Sequence, residues 1–154
     1  MEPAGRNMAT NIDGRYRVML VLWLGFFSSL GFYYVVSLFI QQPDADAAQS
    51  RILTFAFTAL GILIVVVAIV VKQKFLTQSV EKQEINLVQT GLIVGLALCE
   101  AAALFGLMDR VVTGNRYYFV LLLIAAIGML LHFPRREHLL AASYKQISSS
   151  MENN

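Results

Sequence analysis

Four stretches of the chain run almost free of charge, and short polar segments separate them. They are residues 18–40, 52–71, 88–108 and 117–133; the third carries a single charge, Glu100, and the fourth is the shortest. An α-helix rises 1.5 Å per residue, so about 20 apolar residues cover the ~30 Å hydrocarbon core of a bilayer. None of the stretches alternates with the period of two that a membrane barrel requires. A backbone in lipid must satisfy its own hydrogen bonds, which leaves helices. The pattern therefore predicts an all-α polytopic membrane protein, a four-transmembrane-helix bundle with tails at 1–17 and 134–154.

Composition supports a lipid solvent. Of 154 residues, 57% are hydrophobic and 14% charged, against about 25% charged in ordinary soluble domains, and the mean hydropathy is +0.62. The net charge of +2 gives no basis for nucleic-acid binding. Its distribution is more telling. Arg6, Arg15, Arg17, Lys72, Lys74, Lys82, Arg135, Arg136 and Lys145 fall on one side of the predicted spans, while only Arg51, Arg110 and Arg116 fall on the other. Positive charge is retained in the cytoplasm, so the count predicts an inner or plasma membrane location with both termini and the 72–87 loop cytoplasmic. The first apolar stretch exceeds the 7 to 15 residues usual for the apolar core of a secretory signal, and reads as a retained span.

The two outer loops, 41–51 and 109–116, hold Pro43, Asp44, Asp46, Thr113, Gly114 and Asn115, residues that favour turns. The 72–87 loop contains neither Pro nor Gly, so the second and third helices are expected to continue beyond the bilayer as a hairpin, either a docking surface or a plain connector. Beyond Pro134, the 135–147 segment spaces Leu139, Leu140, Tyr144 and Ile147 almost helically behind Arg135 and Arg136, which fits either a helix on the membrane surface or a frayed tail with a few apolar residues.

Glu100 is the costly residue of the sequence. A carboxylate at the centre of a membrane helix costs about 2.5–3.5 kcal/mol on insertion scales and persists through pairing or function. Twelve residues separate it from Val88, roughly 18 Å along the axis. At 100° per residue, Gly91, Gly95, Cys99, Ala102 and Gly106 share one face. Small residues allow a close approach of a neighbouring helix, so this face is predicted to pack inside the bundle. Glu100 lies round on the other side with Ile93, Leu96, Leu104 and Leu107, facing bulkier contacts, a second protein or lipid. Ser28, Ser29 and Thr58, each near the middle of its own helix, are the candidate hydrogen-bond partners if the acid is merely structural.

The residues around this acid, Gly91-Leu-Ile-Val-Gly-Leu-Ala-Leu-Cys-Glu100-Ala-Ala-Ala-Leu-Phe-Gly-Leu107, resemble the carboxylate helix of the rotor-ring proteolipid, the c subunit of F-type ATP synthases. The resemblance spans about residues 88–107. It implies Glu100 as a proton carrier, with Gly95 and Ala97 at the small positions before it and Ala101 after it. A hydroxyl at the position of Ala101 would have implied sodium.

No motif for catalysis is present. There is no GxSxG, HExxH or phosphate-cradling glycine loop, and the single cysteine, Cys99, supports neither a disulfide nor a CxxC centre. His132 and His138 are six residues apart across Pro134, a spacing that builds no metal site; His132 reads as a boundary residue reaching water. The expectation is thus a cofactor-free, non-enzymatic subunit or accessory protein in the lipid bilayer, working as a homo-oligomer or with a membrane-protein partner, and alternatively a proton-translocating proteolipid-like protein using Glu100. Trp23, Tyr16, Tyr117, Tyr118, Phe119, Phe133 and Tyr144 lie near the predicted span ends, and interfacial anchoring explains most of them without a cofactor; Tyr33 and Tyr34, lying deeper, each need a hydroxyl partner.

Overall fold

The computed structural model describes residues 4–40 and 47–143, with side chains from residue 12 and, after the 41–46 segment, from residue 51. All regular structure among them is helical: α1 (Ala4–Phe39), α2 (Ala47–Lys82), α3 (Ile85–Thr113), α4 (Phe119–Leu131) and a short α5 (Arg136–Ser143). Tyr144 and Ile147, half of the apolar stripe expected for the tail, lie outside the described residues.

Two turns shape the chain. The 72–87 loop closes almost completely into helix: α2 continues to Lys82 and α3 begins at Ile85, with Gln83 at φ 53° making the reversal. At the other end Gly114 adopts φ 67°, and its N–H returns to the Arg110 carbonyl to cap α3. A left-handed residue at that place favours glycine, which lacks the Cβ that would clash.

α3 is the centre of the fold. It packs against α1, α2 and α4, and α4 also touches α1 and α2, whereas α1 and α2 do not meet among the described residues. The core follows from the small face of α3: Gly91, Gly95, Cys99, Ala102 and Gly106 are all buried, as their spacing predicted. A methyl at Gly91 would stand 2.6 Å from Phe75 Cβ of α2, and one at Gly106 3.0 Å from Leu121 Cβ of α4. The reciprocal gaps lie on the partners. Gly61 of α2 faces Leu121, and Gly128 of α4 admits the Cys99 sulfur and Val65. Leu96, expected beside Glu100 on the outer side, instead turns fully inward.

The exterior is apolar. Only 11% of the hydrophobic window of α1 and 17% of that of α2 is buried within the protein, and Val21, Phe32, Phe39, Ile52 and Phe55 are all largely exposed. Soluble monomers rarely expose apolar patches beyond a few hundred Å². α1, α2 and α3 are each long and apolar enough to cross a membrane. α4 is not: its 13 residues extend about 20 Å. It reaches span length only together with α5, from which it is bent by 44°, across Phe133 and Pro134. α5 itself does not present its whole apolar stripe outward, since Leu139 and Ala142 are buried in the common core and Leu140 alone of the four expected residues is seen exposed.

Candidate functional site

Glu100 occupies the middle of the 29-residue α3. The exposed positions of this helix from Asn86 to Val111, namely Asn86, Thr90, Ile93, Ala97, Leu104, Met108 and Val111, recur at steps of three and four once Glu100 fills the gap between Ala97 and Leu104. It therefore stands on the outward stripe, opposite the glycines. What keeps it half-buried is α1. Among the described side chains of α1, Met19, Leu30 and Ser37 are buried, and Trp23, Phe26 and Tyr33 lie partly buried on the same inward stripe. This register brings the Tyr33 hydroxyl to Glu100.

Tyr33 Oη donates to Glu100 Oε1 at 2.7 Å. The second carboxyl oxygen has no hydrogen-bond partner among the described residues and is not sealed from the surface. The partner is thus neither Ser28, Ser29 nor Thr58. Ser28 donates to the Leu24 carbonyl and Ser29 to that of Phe26, the local back-bonding that satisfies a hydroxyl in an apolar helix, while Ser29 also lies within reach of the Tyr33 hydroxyl. No hydrogen bond joins Thr58 to Glu100 among the described residues. Tyr33 was identifiable as a deep hydroxyl in need of a partner, but only the relative rotation of α1 and α3 assigns it to Glu100. Tyr34 points outward, and its hydroxyl has no partner among the described residues.

A second polar cluster, missed by sequence reasoning, closes the Gly114 end. The polar segment 109–116 predicts a loop at Asp109, yet α3 continues through Thr113 and buries it completely. Its Oδ1 accepts from Thr54 of α2 and from Thr113, both at 2.8 Å, and its Oδ2 accepts from Asn115 Nδ2 at 2.6 Å. The available signal was the i, i+4 pair Asp109 and Thr113, facing a threonine at the start of the second apolar stretch. Beside it Ser37 donates to the buried Tyr118 hydroxyl at 2.7 Å, so Tyr118 is a tie between α1 and the start of α4 instead of an interfacial anchor. The cluster fastens α2, α3 and the turn that follows α3.

At the Gln83 end two further expectations change. His132 does not reach water: it is fully buried, with Nδ1 2.7 Å from the Gly128 carbonyl and Nε2 3.3 Å from that of Ala68, and its ring occupies the space above Gly95. Trp23, expected as an anchor, donates its indole N–H to the Met129 carbonyl at 2.8 Å and stacks on Phe27, tying α1 to α4. His138 lies instead on a cavity with Lys72 and Arg135. Among the described residues no three metal-ligating side chains come together.

Compared with protein-family models, curated proteins and solved structures, the chain matches none.

Proposed function

We propose that this chain is an integral membrane protein, a four-helix bundle with both termini cytoplasmic, and that it works without catalysis, by associating with another transmembrane segment at Glu100. The observation that supports this most is the position of that carboxyl: mid-helix, on the outward stripe of α3, satisfied by one hydroxyl and with one oxygen still open. In hydrocarbon an open acceptor is costly, so a polar group on a neighbouring helix gains more by meeting it than lipid can offer. Ala97, one turn earlier, leaves room for that neighbour to approach. The partner is a second copy of this chain or a different membrane subunit.

The test is assembly. Purified in mild detergent, the protein should migrate as a homo-oligomer or with a stoichiometric partner, and Glu100→Ala should dissociate it while leaving helical content intact. A monodisperse monomer, for wild type and variant alike, would refute association through Glu100.

The open Oε2 also favours a second reading, the proton carrier implied by the likeness of residues 88–107 to the rotor proteolipid. In this reading Glu100 exchanges its proton at the lipid-facing oxygen while Tyr33 holds the other. A carboxyl-selective carbodiimide should then modify Glu100, with less labelling as the pH rises. Glu100→Gln divides the readings, because the amide retains hydrogen bonding but releases no proton: assembly with lost proton movement supports the carrier, and full function supports association.

A further inference from the structure

A cavity of about 310 Å³ opens at the Gln83 end between α2, the end of α4 and the start of α5. Its polar lining is Lys72, Gln73, His132, Arg135 and His138, and its apolar lining is Ile69, Leu76 and Leu131. Lys72 is directed there by the exposed carbonyl at the end of α4: its Nζ donates to the Leu131 oxygen at 2.6 Å, where an ammonium also meets the negative end of the helix dipole. Arg135 follows the bend at Pro134 and approaches closely enough for the two cations to oppose each other. Among the described residues neither forms an ion pair with a carboxylate. The ion pair found nearby, Arg136 with Asp13 at 2.9 Å, leaves them out, and Glu137 acts on His138. Two uncompensated cations and an imidazole thus converge on a cavity whose other wall is hydrocarbon.

We propose that this cavity binds the phosphate of an anionic glycerophospholipid, with Lys72, Arg135 and His138 around the headgroup. The position favours a lipid over a soluble anion. Lys72 directly follows the apolar stretch 52–71 and Arg135 closely follows 117–133, so the cations sit where headgroups lie if those stretches span a membrane. Leu131, 59% exposed, offers an acyl chain a continuous path from the cavity down the flank of α4. Basic pockets between membrane helices at this level suit acidic lipids. The inference rests on the membrane reading but is independent of Glu100.

The test uses the full-length protein in detergent, with phosphatidylglycerol, phosphatidylcholine or inorganic phosphate added, followed by native mass spectrometry and thermal unfolding. Phosphatidylglycerol should remain bound and raise Tm, and phosphatidylcholine should do neither. Arg135→Gln, an exposed position whose loss leaves the Lys72 hydrogen bond intact, should weaken phosphatidylglycerol roughly fivefold, and Lys72→Gln with Arg135→Gln should abolish selectivity. Arg17→Gln, outside the cavity, should change nothing. Equal retention of the two lipids, or unchanged selectivity in the single variant, would overturn the proposal. Equal protection by millimolar inorganic phosphate would overturn the lipid assignment in favour of a soluble phosphate. Failure of Glu100-dependent assembly would leave all these results unaffected.

Discussion

Among the described residues the Tyr33–Glu100 hydrogen bond is the one polar tie between α1 and the middle of α3, and its strength can be measured as a coupling. Double-mutant cycles on hydrogen bonds between membrane helices average about 0.6 kcal/mol and reach about 1.7. Tyr33→Phe should therefore lower the unfolding free energy by about 0.5–1.5 kcal/mol in denaturing-detergent titrations. The loss should shrink in a Glu100→Ala background, because the phenol then keeps only the Ser29 hydroxyl within reach. Additive losses would mean that Tyr33 stabilises by packing alone. At Asp109 the arithmetic differs, because the buried carboxylate collects three donors. Thr54→Val removes one bond and should cost about 1 kcal/mol. Asp109→Ala should cost clearly more, since it removes the side-chain acceptor of Thr54 and Asn115 at once, while Thr113 keeps the Asp109 carbonyl. Thermal unfolding of both variants, compared with wild type, checks the order.

At the scale of elements, α3 decides the packing through what it lacks. Gly95→Ala would drive a methyl into the buried His132 ring, an over-packing worth about 1–3 kcal/mol. Gly25→Ala meets nothing within 4 Å and should be neutral or stabilising, because alanine favours helix by up to about 1 kcal/mol over glycine. Equal effects at the two sites would contradict the packing described. That face of α3 was legible in the sequence because glycine spacing survives any choice of neighbour. The partners of the face were not, since Leu96 turning inward and Asp109 joining the helix depend on where α1 and α2 sit. α5 shows the same limit: its spacing fits a helix or a frayed tail alike, and burial of Leu139 against the bundle needs the bend at Pro134. This short helix also predicts a pH effect. Burial, followed by the charges of Lys72 and Arg135, holds His138 below its ordinary value of 6.5. The unfolded chain then binds the proton more readily than the fold, so stability is complete above about pH 6.5 and declines as the pH falls through that value. His138→Gln should flatten that part of the Tm profile between pH 7 and 5, and an unchanged slope would assign it to other groups.

For the whole molecule, topology turns on α4, whose 13 residues are short for a bilayer. A three-span chain puts its termini on opposite sides, and a four-span chain puts them together. Packing favours the second arrangement. Arg136 at the start of α5 pairs with Asp13 of α1 and covers the Tyr16 ring at 5.0 Å. Arg15 of α1 donates to Asn86 at the start of α3 at 2.6 Å. The segment after α4 therefore lies at the same end as the start of α1 and the Gln83 turn, and α4 with its flanking turns runs from the Gly114 end to that end. The apolar stretch 117–133 accounts for roughly 25 Å of the path, and a bilayer accommodates a deficit of a few ångströms by local thinning at fractions of a kcal/mol per Å. Nine of the twelve lysines and arginines fall on the side of the termini and the 72–87 loop, so that side is expected in the cytoplasm. An alkaline-phosphatase fusion should accordingly be inactive after Gln83 and at the C-terminus, and active after Gly114. Activity after Gln83 with silence after Gly114 would invert the orientation. Activity at the C-terminus with silence after Gln83 would mean that α4 turns back within the membrane, and the contacts joining α5 to α1 could not then form in a membrane-embedded chain.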